Sequence, residues 1–406
     1  MRPTLLVSRF GAVCAPALVA SAHGQHQSPE LAPQCRVWCE TSSLRPRDGL
    51  NASTAARAAI DAMNSQFYNA SQSRWSPGDP WWLCGVALTG LVDYMRKTGS
   101  AEYMSQAKQI IQVQREPLAW WPQGDGEFRG DSTDDTGWWA LAMVRMFDLT
   151  GDTAYLNISI ADEAYMYDYW TDTDCGGGIY VDIRTEAYKN AIANELYIKL
   201  AASLHNRVPG DTQYLARAES AWSWFQASGM INTNNLINDG LTENDDGSCY
   251  NNKLPTWTYN QGVILGALTE LYRATQDEAY LASAQTIAAA VLASTTLTRD
   301  GILTERCEPS ASCNSDQEIF KGIFAANLAE LDAAVAAAGN SSSGSGSSGP
   351  YRDYLEQNAE SAYGYDRSSS GEEAGGDLYD VGWAGPFENS TISTQASALG
   401  LLVALI

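Results

Sequence analysis

The sequence predicts an all-α protein, an (α/α)6 barrel of six helical hairpins. Three observations carry this. From Ser53 onward apolar residues recur at helical spacing almost throughout. One short turn motif returns five times along the chain. Strand signals are few, chiefly the glycine-rich stretch Cys175-Gly-Gly-Gly-Ile-Tyr-Val-Asp182.

The repeat sets the elements in order. Thr98-Gly-Ser-Ala-Glu-Tyr-Met104 is matched by Thr150-Gly-Asp-Thr-Ala-Tyr-Leu156, Pro209-Gly-Asp-Thr-Gln-Tyr-Leu215 and Thr275-Gln-Asp-Glu-Ala-Tyr-Leu281. Gly349-Pro-Tyr-Arg-Asp-Tyr-Leu355 is a fifth copy, displaced by a Gly/Ser-rich insertion at 340–349 with the composition of a flexible linker. Each copy reads as a tight turn and a helix cap, and its tyrosine opens the apolar face of the next helix. First helices are expected near 81–98, 134–150, 186–206, 258–275 and 316–338, and second helices near 101–115, 153–170, 211–228, 278–294 and 351–364. Helices near 53–69 and 392–406 are left over, and pairing them closes the sixth hairpin. The apolar tail Ala396–Ile406 is therefore expected as the closing helix rather than an anchor signal, and it is too short to span a bilayer.

Composition bounds the function. The 406 residues are 45% hydrophobic, enough for one large core. A net charge of −23 disfavours nucleic acid and anionic membranes, and leaves a neutral polymer as an acceptable partner. The 13 Trp and 20 Tyr suit a sugar, whose C–H face lies on an aromatic ring. Arg2, the apolar run to Ala20 and the small residues Ala20-Ser-Ala22 read as a secretory signal over 1–22, followed by an irregular segment at 23–50 and one catalytic domain at 51–406. Sequons at Asn51, Asn69, Asn157, Asn340 and Asn389 agree with a secreted, extracellular glycoprotein, with cell-wall association open. Cys307 and Cys313 share one loop and are expected to pair, and one cysteine of the mature chain is left free or pairs between chains. Neither a Cys/His cluster nor the Asp245-Asp246 loop has a metal pattern, so no metal and no cofactor is expected, and a monomer is.

Alternating short turns and long loops place all long loops at one end of a barrel, where they enter the first helices. Those entries hold Asp79-Pro-Trp-Trp82, Asp134-Asp135, Tyr188-Lys-Asn190, Trp257-Thr-Tyr-Asn-Gln261, Phe320-Lys-Gly322 and Trp383. Asp134 and Asp135 sit where loop becomes helix. Acidic residues there either cap free N–H groups or form a carboxylate pair for glycoside hydrolysis. Candidate sugar contacts are Trp82, Trp139, Asn190, Asn194, Trp257, Asn260, Gln261, Lys321 and Trp383. Asn190 and Asn194, one turn apart, serve either sugar hydroxyls or partners within the barrel, and Trp139, Trp257 and Trp383 either stack on a sugar or fill the core. Lys321 either borders the sugar site beside a carboxylate or extends to solvent.

The motifs Asp134-Asp-Thr-Gly-Trp-Trp-Ala-Leu-Ala-Met143, Cys175-Gly-Gly-Gly-Ile-Tyr180, Tyr188-Lys-Asn-Ala-Ile-Ala-Asn-Glu-Leu-Tyr197 and Trp257-Thr-Tyr-Asn-Gln261, with the stretches from Ser228 and Phe320, together resemble glycoside hydrolase family 76, the endo-α-1,6-mannanases of bacteria and fungi. The resemblance runs from about residue 50 to the end. It implies an (α/α)6 barrel and retention of configuration, with Asp134 as nucleophile and Asp135 as general acid/base. At Leu83-Cys84 the chain departs from the acidic residue and alanine usual after the Trp pair in fungal members. The function expected is a secreted endo-α-1,6-mannosidase acting on mannan. The alternatives are a wall mannan transglycosidase of the same family and a glycan-binding wall protein without catalysis.

Overall fold

The structure is a computed structural model and describes residues 49–340, 349–368 and 377–406. The signal at 1–22, nearly all of the segment at 23–50 and most of the Gly/Ser insertion lie outside the described residues. The helices all belong to one unit, Arg47–Ile406.

Among the described residues the helices are α1 (Ala52–Phe67), α2 (Trp82–Thr98), α3 (Met104–Gln114), α4 (Thr133–Thr150), α5 (Thr153–Tyr167) and α6 (Ala191–His205). They continue as α7 (Gln213–Ala227), α8 (Thr258–Thr275), α9 (Glu278–Ala293), α10 (Phe320–Asn340), α11 (Arg352–Ser361) and α12 (Ile392–Ala404). The even-numbered helices form a closed inner ring in which each packs on the next and α12 returns to α2. The odd-numbered helices lie outside, and α1 packs on α12, so the two ends of the domain make the sixth hairpin as expected.

Inner helices are buried on nearly every side because neighbours cover them on nearly every side, and the polar residues they carry are buried with them. Every residue of α6 except His205 is buried, and every residue of α12 except Gly400. The ring is tight. A Cβ at Gly322 of α10 would stand 2.3 Å from the carbonyl oxygen of Ser397 on α12, and one at Gly262 of α8 would stand 2.5 Å from Cα of Phe324 on α10.

Three of the five copies of the turn share one chemistry. Thr98, Thr150 and Thr275 donate back to carbonyls four residues earlier, at 2.7, 2.7 and 2.9 Å. The next residue is left-handed in each copy (Gly99, Gly151 and Gln276), and glycine takes that conformation without strain. Asp152 and Asp277 then cap the outer helix by accepting from Ala154 and Ala279, each at 2.9 Å.

At the other end amide side chains anchor the long loops. Asn194 accepts from the Ile179 N–H at 2.8 Å and donates to its carbonyl at 3.1 Å. Gln261 does the same to Ile237, at 2.8 Å both ways. Gln395 accepts from Tyr379 and donates to Asp377 and Ala59, and Asn358 of α11 clamps Leu303 and Gly301. Each clamp turns an otherwise unpaired stretch of loop backbone into a fixed one.

Two expectations are corrected. The third inner helix begins at Ala191, not 186, because Asn190 caps it by accepting from Ala193 at 3.1 Å. The glycine-rich stretch is not a strand but makes single bridges, Trp170 to Ile179 and Ser132 to Asp182, because three successive glycines with positive φ prevent a ladder. Strands form instead as three small antiparallel ribbons, Tyr68–Asn69 with Arg74–Trp75, Leu241–Glu243 with Cys249–Asn251, and Thr298–Arg299 with Ile302–Leu303. Cys307 and Cys313 pair, and Cys175 pairs with Cys249. Cys84 is free and buried, and burial pushes its thiol up to about 12. No described helix is long and apolar enough to cross a membrane.

Candidate active site

Asp134 and Asp135 stand in the first turn of α4, at the loop end of the barrel. Their entry segment is stitched to the glycine-rich stretch: Thr133 N–H donates to Val181 and Thr133 Oγ1 to Tyr180, each at 2.9 Å, and Ile183 N–H donates to Asp131 at 3.1 Å. That stretch is itself held three ways. Asn194 clamps it, Cys175–Cys249 ties it to the next loop, and Lys189 Nζ donates to the carbonyls of Thr171, Asp174 and Gly177 at 3.0, 2.7 and 2.7 Å. The carboxyl pair thus rests on a fixed shelf.

The two carboxyls differ. Asp134 accepts from the hydroxyl of Ser132 and, at 3.0 Å, from the backbone N–H of Asp135. The carboxyl of Asp135 takes no hydrogen bond from the described protein. Ser132 itself makes no side-chain cap to the helix, so capping accounts for one N–H at most. Burial raises the pKa of Asp134, and its two donors work against that rise. Burial raises Asp135 well above the ordinary range, and the charges of Asp134, Asp131 and Asp316 add to the effect.

Asp134 opens into a cleft of about 230 Å³ lined by Trp82, Trp138, Trp257, Tyr259, Asn314, Asp316, Gln317 and Phe320. Trp82 and Trp138 stack at 5.4 Å and 25°. Trp82 Nε1 donates to Asp316 at 3.1 Å, which fixes a second carboxylate in the wall beside Asp134. Tyr259 lies on Phe320 at 3.7 Å and 10°, and Trp257 meets Phe320 edge-on at 5.9 Å. Among the described residues no lysine, arginine or histidine lines the cleft. A larger void of about 530 Å³ lies at the short-turn end, but its walls are Arg145, Arg207 and Arg273 paired with Asp148, Glu270 and Glu330, beside Arg96, which pairs with Asp93. It is a cross-linked plug of charge, remote from the aspartates.

Of the expected contacts, Trp82 and Trp257 line the cleft. The rest lie elsewhere. Trp139 is buried, stacked on Phe128 at 4.6 Å and Trp81 at 5.1 Å. Trp383 is also buried, with Lys321 Nζ 4.5 Å above its ring. Lys321 neither lines this cleft nor reaches solvent: it pairs with Glu308 at 2.8 Å and donates to Val381 at 2.5 Å. Asn190 caps α6, while Asn194 and Gln261 are clamps. Asn260 is buried with neither amide atom bonded, the kind of position that ordered water or a substrate hydroxyl satisfies.

Sequence reasoning missed Trp138, Tyr259, Asp316, Asp239 and Glu195. The Tyr259 hydroxyl makes no hydrogen bond within the described protein. Burial, with Asp239, Asp134, Glu195 and Asp316 around it, keeps the phenol protonated well above its ordinary value. Asp239 accepts from the Tyr188 hydroxyl at 2.5 Å. Glu195 is buried with both carboxyl oxygens unpartnered.

A six-hairpin helical barrel whose loop end holds adjacent carboxyls among aromatic rings is the build of the barrel glycoside hydrolases. The chain belongs to glycosyl hydrolase family 76, whose model matches residues 51–406. It is similar to the mannan endo-1,6-alpha-mannosidase DFG5 of Saccharomyces cerevisiae, 29% identical over 262 residues that cover 61% of this chain and 56% of that protein. It is similar also to DCW1 of Candida albicans, 25% identical over 309 residues that cover 71% and 66%. The chain spans less than two thirds of the length of these curated relatives. Two solved structures share the fold. An α-1,6-mannanase of Salegentibacter superposes with TM-score 0.74 at 22% identity over 88% of this chain and 99% of that one. That protein is an inactive variant, with two consecutive aspartates replaced by alanine, bound to an α-1,6-linked mannose tetrasaccharide. Dfg5 of Chaetomium thermophilum, in complex with glucosamine, superposes with TM-score 0.71 at 21% identity over 87% and 90%.

Proposed function

We propose that the protein is a secreted, retaining endo-α-1,6-mannosidase that cleaves α-1,6-linked mannan by double displacement. The unequal surroundings of the two carboxyls carry this reading. Asp134, with two donors on one oxygen, is the easier to ionise and acts as nucleophile. Asp135, unpartnered and faced by three other carboxylates, keeps its proton and acts as general acid, then as general base. Adjacent residues at a helix start can hold their carboxyls at the roughly 5–5.5 Å that retaining enzymes use.

The cleft suits the transition state. Cleavage builds positive charge on the anomeric carbon and ring oxygen, and a cleft walled by Asp134 and Asp316 without a cation favours that charge. Trp82, Trp138 and Trp257 offer faces for the sugar, and Tyr259 offers a neutral donor. The relatives named mannan endo-1,6-alpha-mannosidase and the mannanase inactivated by replacing two consecutive aspartates support the same linkage and the same pair. Export is supported by the signal pattern at 1–22 and by the exposed positions of Asn51, Asn157 and Asn389.

The second reading is transfer of the mannosyl group to a sugar hydroxyl instead of water, as part of wall assembly; the glucosamine held by a fungal relative favours keeping it. Incubation with linear α-1,6-mannan separates the two. Shorter ladder products are expected, products longer than the substrate would establish transfer, and unchanged mannan would refute both.

A further inference from the structure

The described residues leave five large hydrophobic side chains exposed: Val113, Trp120, Tyr250, Leu254 and Tyr365. All five lie at the loop end of the barrel. Val113 is in the last turn of α3, Trp120 in the loop between α3 and α4, Tyr250 and Leu254 between α7 and α8, and Tyr365 after α11. Scattered singly, such residues carry no message. Confined to the end that holds the cleft, while the other end is charged, they mark a surface with a use.

Trp120 is the most exposed, at 53%, and it is presented rigidly. It sits inside a tight turn closed by Trp121 N–H on the Leu118 carbonyl at 2.9 Å. Its neighbours on both sides are anchored: Leu118 is buried, and Trp121 Nε1 donates to the Tyr165 hydroxyl at 2.9 Å. The base of the loop is tied by Glu127 N–H on the Arg115 carbonyl at 2.6 Å and by the Arg115–Glu127 ion pair. The ring meets buried Trp81 edge-on at 6.1 Å and 78°. Trp81 is the chain neighbour of Trp82, which walls the cleft. The indole N–H of Trp120 makes no bond to the described protein, so both an apolar face and a donor are open.

We propose that Trp120 is an outlying subsite of the cleft, a stacking platform for a sugar unit of a long glycan chain beyond those held beside Asp134. This rests on the proposed glycan substrate and adds to it a preference for polymer over short oligosaccharide. A fixed indole suits the task, since a pyranose ring gains contact without costing the protein side-chain freedom. A protein partner would be expected to bury a broader apolar patch than one ring beside an acidic mouth.

The test compares long linear α-1,6-mannan with α-1,6-mannotetraose for the full protein and for Trp120→Ala. KM on the polymer should rise roughly threefold to tenfold, the value of one lost stack. Both constants on the tetrasaccharide should stay as they were. Trp120→Phe should recover most of the loss, and Trp120→Lys, which keeps an apolar stem without a ring, serves if the alanine variant does not fold. An unchanged polymer KM, or an equal loss on both substrates, overturns the platform. If the unaltered protein turns over no mannan, the proposed activity has failed, and the platform is read from gel retardation in mannan, β-glucan and chitosan. Retardation in any of them that Trp120→Ala abolishes supports the platform. No retardation, or the same retardation in the variant, refutes it.

Discussion

The backbone N–H of Asp135 donates to Oδ1 of Asp134 at 3.0 Å, so the second aspartate helps to hold the charge of the first while its own carboxyl stays unbonded. The two should therefore fail differently. Asp134→Asn and Asp135→Asn are each expected to reduce turnover on mannan at least about a hundredfold with unchanged circular dichroism. On an aryl mannoside with a good leaving group, azide should rescue Asp135→Asn and give the α-azide, because the nucleophile remains. Azide with Asp134→Asn should give the β-azide or none. The same anomer from both would show that the roles are misassigned.

Asp316 faces both catalytic candidates and raises both. The pH profile should be a bell, falling on the acid side as Asp134 takes up its proton and on the alkaline side as Asp135 loses its own. Asp316→Asn removes a like charge, which lowers both pKa values. The whole bell should move to lower pH, with its alkaline limb the clearer marker. An alkaline limb that stays in place would mean that another group than Asp135 sets it.

Lys321 now predicts a stability effect. Its ammonium is buried between Glu308, the Val381 carbonyl and the Trp383 ring. Lys321→Met leaves Glu308 unpaired at a mostly buried position, a loss of roughly 3–5 kcal/mol. Melting should drop by several degrees, and Lys321→Met with Glu308→Gln should recover part of it. A normal melting temperature with impaired kinetics would place Lys321 at the sugar after all.

Glu305 couples stability to pH. It caps α8 by accepting from Thr258 N–H at 3.0 Å and Thr258 Oγ1 at 2.6 Å, and burial raises it to about 7. With a folded pKa above the unfolded value near 4.5, the folded state holds a proton that the unfolded state has released. Its contribution is complete below about 4.5 and is lost as pH rises through about 7, on the order of 3 kcal/mol in all. Glu305→Gln should flatten that slope in urea titrations between pH 5 and pH 8 (roughly the window set by the two values). An unchanged slope would exclude Glu305 as its source.

Repeats, closure by the terminal helices and the Cys307–Cys313 loop were legible because each is local or periodic. The phase of the inner helices was not. Trp138 and Trp139 are neighbours, yet Trp138 faces the cleft and Trp139 the core. The same holds for Tyr259, which lines the cleft, and buried Asn260. A helix buried on nearly every side has no solvent-facing stripe to say which face meets the axis. The clamps were hidden for another reason: a buried amide one turn into an inner helix looks alike whether it serves a sugar or a loop. Asp316 and Trp120 sit on irregular loops, where no periodicity places a side chain.

The amide clamps make the mouth loops share the fate of the barrel. Asn194, Gln261 and Gln395 leave the inner ring to hold the backbone of Ile179, Ile237 and Tyr379, so those loop amides cannot exchange with solvent unless the helices beneath them shift. Deuterium uptake at these points should track global opening rather than loop fraying. Between the clamps the chain is freer to vary in length, which makes the rim of this barrel a set of separately sutured segments that can be recut without unpicking the ring.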